Sequence, residues 1–354
     1  MKRLMVMAGG TGGHIFPALA VAQHLQEEGW QVDWLGTPTR MEADIVPKYG
    51  IALHFVDIQG VRGNGLKRLL VTPLKLLKAV WDAWRLFGRV RPAVVLGMGG
   101  FASGPGGIAA KLRGIPLLLH EQNAVSGVTN RYLAKVANQT LQAFPGAFKD
   151  APVVGNPIRA SLFSLTRMRH QPPLRVLVMG GSLGAQVFNE VLPAAFASAG
   201  VALAIRHQTG KGRSETVKAR YQQLEQQATV SDFIDDMAEA YQWADVMIAR
   251  AGALTVSELA AVGLPAILVP LPIAVDDHQT QNARFLSEQG GAVLVPQSQF
   301  TAERVASLLR EWHDDPEQLV RMGNAAHQLA KPDATEAVAA VCRQLAGVRK
   351  RAGV

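Results

Sequence analysis

The sequence predicts a parallel α/β protein in two similar halves. Three observations carry the prediction. Short β-rich runs alternate with helical stretches along the whole chain, as they do where helices cover a parallel sheet. One local pattern occurs twice, 171 residues apart in a chain of 354: a strand, a Gly-Gly-Thr/Ser-x-Gly turn, then a helix. Between the copies, residues 161–173 are polar, lack a sustained period and end in two prolines, as a domain boundary does. The result is α/β with two Rossmann-like domains facing a cleft, at the carboxyl ends of their sheets, where doubly wound folds bind ligands.

In the first half, strands are expected over 3–8, 31–35, 93–96, 116–120 and 139–142. A helix over 18–28 links the first two. In the second half the strands are 175–179, 202–206, 246–249, 266–269 and 292–295. Helices over 187–199, 256–262, 281–289 and 302–312 fall between or after them.

Three glycine-rich turns follow strands: 9–14, 97–107 and 180–184. Glycine admits positive φ and removes the Cβ that would hold a phosphate away. A helix starting after such a turn offers free N–H groups and a partial positive charge. Tight strand-to-helix packing explains one such turn alone; three favour phosphate binding. None is a clean G-x-G-x-x-G, and strand 31–35 ends in Gly36-Thr37 rather than an acid, so a nicotinamide site is not expected. The P-loop pattern is also missing.

Four further features carry polar chemistry. His14 closes the first turn, and a neutral imidazole is a plausible general base near pH 7. His120-Glu121-Gln122-Asn123 follows an apolar strand, at the end where open α/β sheets place their sites. Gly155-Asn156-Pro157-Ile158-Arg159 is a turn whose arginine suits a diphosphate. Arg250-Ala251-Gly252-Ala253-Leu254-Thr255-Val256-Ser257-Glu258 follows a strand and opens a helix. Its small residues and N–H groups over 253–256 suit phosphate, and the Glu258 carboxylate suits two ribose hydroxyls. Each also has a plain structural reading, as a cap, a packed side chain or an acid favouring the helix dipole. Asp276-Asp277-His278-Gln279 is a loop that suits a sugar or simply solvent. No Asp-x-Asp pair occurs, so N–H groups and Arg159 are expected to neutralise a diphosphate without a metal.

Composition narrows the classes. Apolar residues make up 48% and mean hydropathy is +0.10, enough for two cores and unlike a disordered chain. One cysteine, Cys342, excludes a disulfide framework and a cysteine zinc site. No apolar run reaches the ~18–20 residues of a spanning helix, and no secretory apolar region follows Met1, so a soluble cytoplasmic chain is expected. Net charge is +8, and +7 of it lies between Val61 and Pro92, where Asp82 faces eight basic residues. Gly60–Gly65 reads as a loop. Thr72-Pro73 reads as a helix N-cap and first position. Leu74, Leu77, Val80, Trp81, Trp84 and Phe87 then recur at helical spacing beside Lys75, Lys78, Arg85 and Arg89. With no nucleic-acid motif present, an anionic membrane surface is the expected partner.

The motifs GGTGGH, GMGGFASGPGG, HEQN, QAFPGAF, VVGNPIR, FIDDM and GALTVSE, in this order from about Lys2 to Ala340, resemble those of the MurG family. These are bacterial UDP-N-acetylglucosamine transferases of peptidoglycan synthesis. The resemblance implies the GT-B glycosyltransferase fold, with an acceptor and membrane-associating domain over 1–162 and a UDP-sugar domain over 163–334. A terminal helix over 335–354 would pack back on the first. It implies an inverting transfer of N-acetylglucosamine from UDP-N-acetylglucosamine to the C4 hydroxyl of undecaprenyl-linked lipid I, at the cytoplasmic face of the inner membrane.

No cofactor and no metal is implied; other cell-wall synthesis proteins are further expected partners. Residue by residue, Thr11, Gly12 and Gly13 match the first loop, and His14 its histidine. Asn123 matches a contact to the transferred sugar. Arg159 and Ser182 match donor contacts, and Ile234 the backbone reader of uracil. Ala253, Leu254, Thr255, Val256, Ser257 and Glu258 match the diphosphate and ribose segment, and Gln279 a contact to the sugar hydroxyls. Gly99 and Gly100 match an acceptor-diphosphate site. The general base is His14 or Glu121. A UDP-N-acetylglucosamine 2-epimerase and a non-catalytic nucleotide-sugar-binding protein are the other readings of the sequence.

Overall fold

A computed structural model describes residues 2–58, 66–165, 172–181, 184–272 and 274–351, without the side chains of 66–72, 275 and 348–351. Contacts divide the chain into two units: Met1–Ile158 with Asp333–Val354, and Arg159–Pro332.

Among the described residues the first unit has six parallel strands: β1 (Arg3–Ala8), β2 (Gln31–Gly36), β3 (Ala52–Phe55), β4 (Val94–Gly99), β5 (Leu117–Glu121) and β6 (Gln139–Gln142). Their order is β3-β2-β1-β4-β5-β6. Its helices are α1 (Gly12–Glu27), α2 (Met41–Ile45), α3 (Leu66–Val90), α4 (Ser103–Leu112) and α5 (Val128–Leu133).

The second unit has β7 (Leu174–Met179), β8 (Leu203–Gln208), β9 (Thr229–Ser231), β10 (Val246–Ala249), β11 (Ala266–Leu268) and β12 (Ala292–Leu294). Their order is β12-β11-β10-β7-β8-β9. Its helices are α6 (Gln186–Ala199), α7 (Ser214–Gln223), α8 (Met237–Trp243), α9 (Ala253–Val262), α10 (His278–Ser287), α11 (Ala302–Asp314) and α12 (Pro316–Gln328). Counted from its own first strand, each sheet has the same doubly wound order. The winding reverses between β1 and β4 in one and between β7 and β10 in the other.

Strands covered on both faces read as continuous apolar runs rather than alternating ones. Leu4 to Ala8 are all fully buried, and so are Val246 to Ala249. One face of the first sheet packs Leu4, Val6 and Trp34 with Ile15 and Leu19 of α1; the other packs Met5, Met7 and Leu35 with Ala83 and Phe87 of α3. The last helix, α13 (Ala334–Arg351), joins the first of these clusters through Val338 and Cys342. Arg343 of α13 pairs with Glu28, tying its outer side to the end of α1.

Three expectations need correction. First, β3 and β9 have no counterpart in the sequence reading. Both are short edge strands with half-exposed side chains, so the apolar signal is weak. Second, α1 starts at Gly12 rather than residue 18. Thr11, extended at φ −136°, serves as its N-cap, and its carbonyl accepts from the N–H groups of His14 and Ile15. Pro17 sits inside and removes one donor without ending the helix.

Third, α3 starts at Leu66, not at Thr72-Pro73. The leucine spacing at 66, 69, 70, 74 and 77 carries one helical period through Pro73. Residues 60–65, Arg62 included, lie outside the described residues, as do the side chains of Lys67 and Arg68. The expected apolar face of α3 also divides. Phe87 is buried, with Ala79, Ala83 and Leu86 that the spacing did not single out, whereas Leu74, Leu77 and Trp81 are 68%, 65% and 55% exposed. Among the described residues no helix is long and apolar enough to cross a membrane.

Candidate active site

Each winding reversal sets two strand ends side by side. β1 and β4 lead into α1 and α4; β7 and β10 lead into α6 and α9. The three glycine turns and the 250–258 run follow these four strands. The four helices share a second property: none has a side-chain N-cap bond or an acid in its first turn, among the described residues. Of the others, α5 and α10 share this lack, whereas Asp236 caps α8, Thr301 caps α11, and Glu215, Glu317 and Glu336 sit in the first turns of α7, α12 and α13. The reversal-point helices therefore keep open N–H groups and an uncompensated dipole, as an anion site requires.

At the β1/β4 reversal, His14 lies in the first turn of α1. Its Nδ1 is 3.0 Å from the Gly9 carbonyl. A carbonyl only accepts, so Nδ1 carries the proton and Nε2 is the basic nitrogen. Nε2 has no hydrogen-bond partner among the described residues. The ring rests on bare backbone: a Cβ on Gly99 would lie 3.0 Å from Nε2. A Cβ on Gly100 would lie 2.6 Å from Gly9 O. Both glycines have positive φ, 101° and 94°. Gly99 and Gly100 thus let the β4 turn close onto the β1 turn. Thr11 is exposed, and Gly13 keeps open space around its Cα beyond the Thr11 hydroxyl. Gly12 faces the Phe16 ring.

Next to them, β5 ends in a buried polar network. Glu121 Oε1 accepts from Asn123 N at 3.1 Å and Asn123 Nδ2 at 3.3 Å; Oε2 accepts from Gly127 N at 3.1 Å and Asn130 Nδ2 at 2.9 Å. Both oxygens are committed to shaping the 123–130 loop. His14 therefore fits the base role better than Glu121. His120 Nε2 donates to Gly155 O at 2.9 Å, and Gln122 Nε2 donates to its Nδ1 at 3.1 Å. Burial pushes the His120 imidazole down to about 4, so it stays neutral and structural.

At the β7/β10 reversal, Val256 N donates to Gly252 O at 3.0 Å. That bond removes Val256 N–H from the expected donors and leaves those of Ala253, Leu254 and Thr255 without an intrahelical partner. One turn on, Glu258 Oε2 accepts from Tyr241 Oη at 2.7 Å. Burial pushes the Glu258 carboxyl above the usual range; the Tyr241 bond and the charge of Arg159 oppose that. Arg159 opens a short 3₁₀ turn, Ala160–Ser164, that packs on α9. The fold thus brings Arg159, Tyr241 and Glu258 together.

Gln279 Oε1 accepts from Leu271 N at 3.0 Å, and buried Asn282 donates to Ala251 O at 3.2 Å, fixing α10 beside the 250–258 turn. Ile234 lies in the loop between β9 and α8. Ser257 lies within the second turn of α9, and Leu254 is half-buried. Ser182 lies outside the described residues. Arg250 serves structure: its guanidinium reaches Val269 O, Pro270 O and Gln297 Oε1.

The sequence reading missed Tyr241 and Glu42. Glu42 is buried and accepts from Gly10 N at 2.9 Å. Neither stands in a motif, and only the fold brings each to its turn.

Comparison with known proteins agrees with this geometry. The glycosyltransferase family 28 N-terminal domain matches residues 4–142, and the family 28 C-terminal domain matches 175–338. A Shewanella amazonensis protein is 57% identical over 98% of both chains. A Shewanella loihica protein is 54% identical over 99% of this chain and 98% of its own. Both are named UDP-N-acetylglucosamine–N-acetylmuramyl-(pentapeptide) pyrophosphoryl-undecaprenol N-acetylglucosamine transferase. The crystal structure of Acinetobacter baumannii MurG superposes with a TM-score of 0.87 at 45% identity, covering 97% of this chain and 100% of that one. The two doubly wound sheets are those of GT-B glycosyltransferases. By these matches the chain belongs to glycosyltransferase family 28, in its MurG branch.

Proposed function

We propose that this chain transfers N-acetylglucosamine from UDP-N-acetylglucosamine to the C4 hydroxyl of undecaprenyl-diphospho-N-acetylmuramoyl-pentapeptide, converting lipid I to lipid II. The observation that carries this reading is identity of 53–57% over nearly the whole chain with relatives that bear that transferase name. The acceptor hydroxyl attacks the anomeric carbon in line and UDP leaves from the opposite face, inverting the centre. One C–O bond forms as the other breaks, and the leaving diphosphate takes the electron pair. His14 Nε2 takes the hydroxyl proton, an effect of about 10²–10⁴-fold for a placed general base. N–H groups of Ala253, Leu254 and Thr255, with Arg159, neutralise the departing diphosphate. Glu258 accepts from the ribose hydroxyls, Ile234 reads the uracil edge, and Asn123 and Gln279 hold the sugar. Residues 1–162 serve the acceptor and membrane, except that Arg159 reaches the donor side, and 163–334 serve the donor.

The enzyme works as a peripheral protein at the cytoplasmic face of the inner membrane. Exposed Leu74, Leu77 and Trp81 beside exposed Lys75, Lys78 and Arg85 support that reading. Basic residues near an anionic bilayer contribute about 1 kcal/mol each.

The test is purified protein with radiolabelled UDP-N-acetylglucosamine, with and without a lipid I analogue, in EDTA. Label entering lipid only with acceptor is the expected result. N-acetylmannosamine and UDP formed without acceptor would make it an epimerase. Tight UDP binding with no product in either tube would favour a binding protein.

A further inference from the structure

We propose that Glu42 is a positioning residue for His14 and acts through one peptide group. The peptide joining Gly9 to Gly10 is bonded on both sides. Its N–H, on Gly10, donates to Glu42 Oε2 at 2.9 Å. Its C=O, on Gly9, accepts from His14 Nδ1 at 3.0 Å. Carboxylate, peptide and imidazole form one chain of hydrogen bonds. A peptide polarised by a carboxylate at its N–H is a stronger acceptor at its C=O. The chain therefore holds the Nδ1–H tautomer, aims Nε2 outward, and stabilises the imidazolium that forms when Nε2 takes a proton. A carboxylate bonded directly to a catalytic histidine does the same work; here one peptide lies between them.

The surroundings leave this arrangement little freedom. Glu42 is 1% exposed. Thr37 N–H and hydroxyl donate to its Oε1 at 3.0 and 2.7 Å. Glu42 thus accepts from three groups of the chain, two of them backbone N–H. A Cβ on Gly9 would collide with that carboxylate, and one on Gly36 would lie 2.8 Å from Glu42 Cγ. From the other side, a Cβ on Gly100 would strike the Gly9 carbonyl. Gly9, Gly36 and Gly100 thus leave room for one peptide pressed between Glu42 and His14. This explains glycines that phosphate binding alone does not require.

The proposal rests on His14 as the base, so its tests are separable from that reading. Nitrogen-15 NMR of histidine-labelled protein, with His14 assigned by loss of its signals in His14→Gln, reports the tautomer of the unmodified enzyme. The Nδ1–H form is expected; the Nε2–H form would overturn the proposal with no variant of Glu42 needed. In Glu42→Gln, an amide cannot accept from all three donors. Turning its oxygen to the two Thr37 donors sets its NH₂ against Gly10 N–H, and turning it to Gly10 leaves a neutral amide there; either way the carboxylate charge that polarises the peptide is lost.

We expect kcat to fall about tenfold, KM for both substrates to stay within twofold, and the His14 signals to move toward the Nε2–H form. A folded Glu42→Gln protein with unchanged kcat and tautomer would contradict the proposal. So would raised KM values with the tautomer unchanged, the mark of a merely structural role. Normal turnover in His14→Ala would instead remove His14 as the base, whatever the tautomer.

Discussion

At the β1/β4 reversal the chemistry is an imidazole lying on bare glycine backbone with one nitrogen unpartnered among the described residues. At the β7/β10 reversal it is a carboxylate held by a phenol, with an arginine nearby. The strand order is the same in both, and so is the lack of acids at the helix starts. A shared backbone plan offers anion sites at both places. Under the proposed function, side chains then divide the labour: a proton acceptor at one, and an acceptor for neutral hydroxyls at the other. Fold and function separate here, as they do wherever one fold hosts many activities.

Substitutions at each site break or sharpen this contrast. His14→Ala should lower kcat about 10²–10⁴-fold with UDP-N-acetylglucosamine affinity unchanged. Near-normal turnover would end its assignment as base. Glu258→Ala should act on the other side, weakening donor binding by roughly tenfold or more, because a hydrogen bond to a charged group contributes about 1.5–3 kcal/mol. Tyr241→Phe should raise the donor KM only a few-fold, since it removes one neutral donor to Glu258. Leu77→Glu with Trp81→Glu should abolish binding to anionic vesicles. It should spare turnover of a water-soluble acceptor, because both side chains are exposed.

Acid sensitivity gives a smaller effect. Unfolded His120 binds a proton below about 6.5, whereas the folded form waits until about 4. Stability should therefore fall as pH drops through that window, by roughly 3 kcal/mol at its lower end. A melting-temperature series on wild type and His120→Gln checks this, and the variant should lose less stability between the two pH values.

The central strands were legible in the sequence because burial on both faces makes them continuous apolar runs; β1 and β10 coincide with the expected ranges. Edge strands β3 and β9 were not, since half-exposed runs of four and three residues carry little pattern. The helix through Pro73 was misread because proline and threonine mimic a start signal. Among the site residues, the glycine turns and His14 stood out through spacing. Tyr241 and Glu42 did not: a single tyrosine 17 residues before Glu258, or a glutamate 32 residues after Gly10, has no local signature. Glycine positions held the hidden signal, since Gly9 and Gly36 are small only because Glu42 fills the space between them.

The most direct test of the division of labour sets His14→Ala beside Glu258→Ala, with UDP-N-acetylglucosamine binding by calorimetry and turnover with a lipid I analogue measured on each. His14→Ala should bind donor like wild type yet turn over at least 10²-fold more slowly, while Glu258→Ala should lose donor affinity. Donor affinity lost in His14→Ala and kept in Glu258→Ala would contradict that division.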